Sequence, residues 1–250
     1  MKTRLTRLVA SFLFALVFCS IAHPSLAESL PEFRPALLGQ GPRSLINKID
    51  AESLMKRGQR DGLIMFSCGV TETGQGYSMQ VYRCTPNSEL LQKEVLGRIR
   101  QIQFEPAVYH HTHVGVWIGG TIVFAIKNGK PHLRIYLNQE ESDLMRGNDF
   151  IAPQFAFVGG NTAFKGIYWP SAAPGHEGVA SMMLDVDATG HVSNPKVIYE
   201  HPAGMGFGAA AAGPIRDKIF LPGFRNGKAV PCRFNWSIFF FGSGLQMRSG

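Results

Sequence analysis

Apolar and polar residues alternate in two separated stretches of this chain, and the same plan follows each. In the first, Ile64, Phe66, Cys68 and Val70 fall on one face of residues 63–70, the period of a half-buried strand. Residues 71–74 turn the chain, Gly74 being able to take the positive φ that a tight hairpin wants, and residues 77–83 return as a second strand. Asn87 or Ser88 can then cap a helix with Glu89 in its first turn; Leu91, Val95, Ile99 and Ile102 mark its apolar stripe. Pro106 cannot continue that helix, Phe104 can plug the gap beneath it, and residues 114–126 supply a last strand. The second stretch, residues 177–241, reads as strand, turn, strand, small-residue helix, Phe-Leu-Pro corner and closing strand. Its helix is expected to be short, kinked or broken, because residues 208–213 are all small and Pro214 interrupts them.

The two stretches are in register. Sliding the sequence by 116 residues lays 61–124 over 177–240 without a gap and matches 14 of 64 positions, where ordinary residue usage would match roughly 4. Among the matches are Gly74/Gly190, Phe104/Phe220, Pro106/Pro222 and Phe124/Phe240, where turn, corner and core geometry dictate the residue. The chain therefore divides into residues 28–60 (lead-in), 61–126 (first module), 127–176 (connector), 177–241 (second module) and 242–250 (tail), after a targeting segment.

That segment, residues 1–27, carries Lys2, Arg4 and Arg7, then an apolar run over 8–21, then Ser25-Leu26-Ala27 as a cleavage site before Glu28. The apolar run is short for a membrane span, which needs about 20 residues, so cleavage and export to the periplasm are expected. Removing three positive charges from +7 leaves +4. That is too mild for the clustered basic face of a nucleic-acid binder. Cys68, Cys84 and Cys232 then remain, an odd number for an oxidising compartment. Cys68 and Cys232 sit on apolar-alternating positions and read as core thiols.

In the lead-in, residues 31–43 are rich in Pro and Gly and read as extended or loosely held, and 44–56 as a short helix capped at Asp50 or Ser53. The connector holds one more alternating strand, 130–138, followed by Phe150, Phe155, Phe157, Phe164, Tyr168 and Trp169. That aromatic density argues for packing over the second sheet or at the seam between modules rather than a floppy tether. The tail has no core pattern.

Gly178-Val179, Met183, Asp185-Val-Asp-Ala-Thr-Gly190, Val192 and Val197 are followed by Phe207, Ala211-Ala212, Phe220-Leu-Pro222 and Asn226-Gly-Lys-Ala-Val230. In that order they resemble the C-terminal domain of the TonB family. The first module is similar more loosely, through Gly62, Val70, Gly74, Phe104-Glu-Pro-Ala107 and Val114. The resemblance implies an α+β fold of two TonB C-terminal-like modules, each a small antiparallel sheet with a helix on one face. It also implies binding of an extended peptide, such as a segment of an outer-membrane transporter, by strand addition at a sheet edge. The chain departs from energy-transducing members in its signal-like start, its missing Pro-rich spacer and its doubled module.

Other constellations give way to plainer readings. Asp185-Val-Asp187-Ala-Thr189-Gly190 begins like a calcium loop, but Lys196 stands where the bidentate Glu is required, so it is a hairpin turn. His110, His111 and His113 could hold zinc or copper, yet they align with Asn226–Ala229, a loop before the last strand. Gly204, Gly206 and Gly208 lack the spacing and downstream acid of a dinucleotide fingerprint. Ser53–Lys56 matches S-x-x-K without its partner motifs, and no G-x-S-x-G or carboxylate pair follows.

The expectation is a non-enzymatic periplasmic adaptor without cofactor or metal. It would bind protein or peptide by strand addition along residues 231–241, where Arg233, Asn235 and Ser237 alternate with apolar residues. Two alternatives stand beside it: an energy transducer held by an uncleaved anchor, and a metal-handling protein using the 110–113 loop. Pairing into homodimers stays open.

Overall fold

The computed structural model of this chain describes residues 29–147, 150–159, 165–241 and 246–249. Residues 1–27, read as a targeting segment, and Phe164 lie outside them. The elements run β1 (Phe33–Arg34), α1 (Leu45–Lys48), α2 (Ala51–Lys56), β2 (Gly62–Val70), β3 (Gly76–Cys84) and α3 (Glu89–Arg98). Next come β4 (Ala107–Tyr109), β5 (Thr112–Val114), β6 (Val116–Lys127), β7 (Lys130–Tyr136), α4 (Glu141–Arg146) and β8 (Gln154–Ala156). The second half holds β9 (Gly178–Val186), β10 (Val192–His201), α5 (Phe207–Ala212), β11 (Phe220–Leu221), β12 (Gly223–Arg225), β13 (Lys228–Val230), β14 (Cys232–Phe241) and β15 (Gln246–Ser249). The fold is α+β, built mostly of antiparallel sheet with few short helices.

The spacing of 116 seen in the sequence recurs in the backbone. The spans of β2, β4 and β5 each shift by 116 onto β9, β12 and β13. Gly62 pairs with Phe124 across β2 and β6, as Gly178 pairs with Phe240 across β9 and β14. Ser78 and Asn194, at φ 49° and 48°, sit where β3 and β10 each lose register with their neighbour. The corners match bond for bond. Phe104 N–H donates to Gly74 C=O at 2.8 Å, and Phe220 N–H to Gly190 C=O at 3.2 Å.

The helices differ as their residues require. α3 runs straight into a 3-10 turn at Ile99–Gln101, burying Leu91 and Val95 against β2 and β3. α5 lasts six residues and gives way at Gly213-Pro214 to a 3-10 turn, Pro214–Asp217, because proline offers no N–H to the preceding turn. Its small residues let it lie close to β9 and β10: a Cβ on Gly208 would crowd Val197.

One core gathers the first half around Phe66, Phe104, Phe124 and Leu91; a second gathers Phe207, Phe220, Trp236 and Phe240 around α5. The connector joins them. β8 pairs with β6 on one side and β11 on the other, so a single strand of the second half, β11, closes a six-stranded sheet of the first. Phe155 of β8 is stacked on Trp236 at 5.7 Å and meets Phe220 edge-on.

One expectation is revised, and two segments gain detail. The helix over 44–56 is two short helices, α1 and α2, split at Ile49-Asp50, with Asp50 accepting from Ser53 N–H as the cap of α2. The tail contributes strand β15, which pairs with Ile238–Phe241 of β14. Of the two readings of residues 31–43 the extended one describes the stretch from 33 to 37, where residues 33 and 34 pair with β4 and Leu37 exchanges two hydrogen bonds with Glu105.

Candidate functional site

Strand addition needs a strand with one free edge, so the sheet order decides where it is open. The second sheet runs β10-β9-β14-β15, which puts β14 inside it. The expected edge along residues 231–241 is therefore corrected. Over Ile238–Phe241 both sides of β14 are paired, and only the part from Cys232 to Ser237 has a single strand neighbour among the described residues. That part is not clear of protein either. Phe234, Asn235 and Trp236 border a cavity of ≈ 30 Å³, about one water molecule, against Trp117, Gln139 and Pro153.

Arg233, Asn235 and Ser237 share the sheet face turned away from α5, opposite Asp185, Met183 and Ser181 of β9. Arg233 and Ser237 are engaged within the sheet. Arg233 Nε donates to Asp185 Oδ1 at 2.6 Å and a terminal guanidinium nitrogen donates to Oδ2 at 3.2 Å. Arg233, and then Asn194, hold the Asp185 carboxyl below the ordinary carboxylate range. The Ser237 and Ser181 hydroxyls are 2.7 Å apart.

Longer open edges lie elsewhere. Among the described residues β3 and β11 end the path of the six-stranded sheet, β7 pairs with β6 alone, and β10 and β15 end the other sheet. β10 carries Val197, Ile198 and Tyr199 at 38%, 48% and 54% exposure, three adjacent large apolar side chains where an edge is ordinarily charged. Sequence alternation misses this edge because the register breaks between Val197 and Tyr199, so the run does not alternate. The unbroken Val-Ile-Tyr triplet is the available signal. Glu200, next along, turns away: its carboxylate accepts Gly208 N–H at 2.7 Å and Gly206 N–H at 3.2 Å. That clamp occupies the glycine-rich loop with the chain's own anion, and its backbone donors, Gly208 first, hold the Glu200 carboxyl below its ordinary value.

Comparison with protein-family models, with curated proteins and with solved structures finds no match.

The histidines do not converge. His110 and His111 form the turn between β4 and β5 at φ 44° and 60°. His110 lies 3.6 Å from Glu32 and His111 Nδ1 is 2.6 Å from Leu30 C=O, so both face the lead-in. His113 points inward with Nε2 buried. Among the described residues no three His, Cys, Asp or Glu side chains are gathered as metal ligands. Asp187 is spent on its own turn, accepting from Thr189 N–H, Thr189 hydroxyl and His191 N–H. Cys68 is buried, Cys84 exposed and Cys232 half-buried with its thiol pushed up to about 11 by burial; all three are free thiols.

Proposed function

We propose that this chain is a periplasmic, non-enzymatic binding or adaptor protein made of two modules resembling TonB C-terminal domains, taking extended peptide segments by strand addition. The observation that carries the reading is the outer edge of β10, ten residues long and apolar at its centre. Its backbone donors and acceptors supply affinity to any extended chain, and pockets beside alternate side chains supply choice. The repeated hairpin-helix-strand plan supports the two-module division, and the signal-like start supports the compartment. A segment of an outer-membrane transporter is one such extended partner. Among the described residues no helix is long and apolar enough to cross a membrane.

The test is binding of a panel of extended synthetic peptides to the full chain and to three variants. Ile198→Lys places a charge on the β10 edge and should weaken capture by about tenfold or more. Asn235→Pro removes a donor from the half-open part of β14, while Asn235→Ala keeps it, so their difference measures that edge. Equal binding by all three folded variants and the wild type rules out strand addition at either place.

A further inference from the structure

The chain already performs strand addition on itself twice, in one register. Arg34 pairs with Val108 of β4, and Ile151 pairs with Phe224 of β12, the position 116 residues beyond Val108. Leu37 pairs with Glu105, and Gln154 with Leu221, again 116 residues beyond. The two added segments thus correspond at a spacing of 117: Phe33-Arg-Pro-Ala-Leu37 and Phe150-Ile-Ala-Pro-Gln154. Each begins with Phe and carries Pro and Ala, in either order, at its third and fourth places. Pro35, Ala36 and Pro153 are buried, where proline keeps the segment extended and brings no N–H that needs a partner.

The two occupants are held unequally. Residues 150–156 are fixed from both sides, because β8 pairs with β6 and β11, Asn138 donates to Phe150 C=O at 2.7 Å, and Phe155 is buried between aromatic rings. Among the described residues, 33–37 pair with a strand on one side only. Laterally the Gln154 side-chain amide accepts from Ala36 N–H at 2.7 Å and donates to Ala36 C=O at 3.0 Å, while Ala36 is buried in the first core with Phe33 packed against it. Beyond that, Arg34 reaches Pro106 C=O and the exposed His110–Glu32 pair closes the N-terminal end. After Leu37 the chain leaves the corner at Gly39, φ 68°, and a cavity of ≈ 320 Å³ opens between residues 39–44 and Gln103, Phe104 and Glu105. In the second half the same place is filled by Ala156, whose N–H donates to Ile219 C=O at 2.9 Å.

We propose that the edge formed by Glu105 and β4 is a binding site for an extended peptide with the pattern Phe-x-Pro/Ala-Pro/Ala, and that residues 33–37 are a releasable strap resting in it. This deepens the strand-addition reading and locates a site of its own, apart from β10. The chain's two internal occupants define the ligand chemistry, and Val108 and Ala107, both fully buried under the strap, are the surface it would gain. A tethered strap competes at an effective concentration in the millimolar range, so a free peptide binds the wild type only weakly unless the strap is loosened.

The probe is a fluorescent synthetic peptide with the sequence of residues 30–38, titrated into full-length chains. Phe33→Ala removes the ring that lies 5.6 Å from Tyr109 and leaves the site intact, so this chain should bind the peptide about tenfold more tightly than wild type. Phe33→Cys with Tyr109→Cys, in a Cys84→Ser background, places two thiols directly opposite each other in the ladder, at a separation a disulfide spans. Oxidation should abolish binding and reduction restore it. Equal binding by the Phe33→Ala chain and the oxidised chain, or none by either, overturns the proposal. Hydrogen exchange on unmodified chain guards against a misfolded variant. Added peptide should speed exchange of the Leu37 amide, which now donates to Glu105 C=O at 3.1 Å, and unchanged protection counts against a releasable strap. Ile198→Lys should leave this binding as it is; a loss there would assign the peptide to β10 and overturn the strap site while leaving strand addition standing.

Discussion

Gly190 lies directly beneath the carbonyl of Phe220, so close that a Cβ on this glycine would overlap that oxygen. Gly74 and Phe104 repeat the relationship in the first half. Gly74 and Gly190 hold φ near the left-handed region, 83° and 89°, and both accept the corner's N–H. Gly74→Ala and Gly190→Ala should each destabilise the protein by about 1–3 kcal/mol from backbone strain alone, with steric overlap adding to it. Denaturant unfolding measures this, and a change within about 0.5 kcal/mol would mean that the corner yields freely.

The rings above those glycines are the next measure. Phe104 and Phe220 are fully buried, each in its own core. Phe104→Ala and Phe220→Ala should each cost about 3–5 kcal/mol, the range for emptying a core Phe site. Losses below about 1 kcal/mol would show that the cores collapse around the gap.

Gln154 tests the seam. Replacing it with Leu leaves Ala36 N–H and C=O buried without partners, at a cost of about 1–3 kcal/mol. Hydrogen exchange should then rise first at residues 33–37, ahead of β2 and β6. Uniform acceleration across the chain would mean that the bond supports the whole fold equally.

The Glu200 clamp predicts an acid dependence. An unfolded Glu titrates near 4.3, and the amides of Gly208 and Gly206 hold the folded carboxyl lower. As pH falls the unfolded chain takes up the proton first, so the clamp's stability is complete above about 4.3, declines below it and is gone beneath the folded value. Wild type should therefore exceed Glu200→Gln in unfolding free energy at neutral pH, with the gap narrowing in acid. A gap that is constant with pH would assign the loss to packing instead.

His110 and His111 occupy positions that Asn226 and Gly227 fill in the second half, at φ 51° and 71°. Asn and Gly tolerate that conformation better than His. His110→Asn with His111→Gly should change stability by less than about 1 kcal/mol. His113→Asn, at a half-buried side chain whose Nε2 is covered, should cost more. The reverse order in thermal melts would make the exposed pair, with its hold on Glu32 and Leu30, the structural one.

The strands β2, β3, β9 and β14, the helix α3 and the break in α5 are legible in the amino-acid sequence, because each follows from residues close along the chain. Period-two alternation marks a strand and the face it buries, glycine at a required positive φ marks the hairpin, and Pro214 stops a helix whatever surrounds it. Edges are not legible in this way. Alternation says which face of β14 is buried and nothing about which strand lies beside it, and the covering strand β15 comes from a tail without apolar pattern. The correspondence of residues 33–37 with 150–154 is equally hidden, since only Phe33 and Phe150 are identical, and at a spacing of 117, not 116. Strand neighbours and added segments are chosen by long-range pairing, where backbone groups from distant parts of the chain satisfy one another and side-chain identity constrains little. That is why spacing alone places Arg233, Asn235 and Ser237 on one strand face, while the sheet ends, β3 and β10 among them, are decided only by the assembly of the sheets.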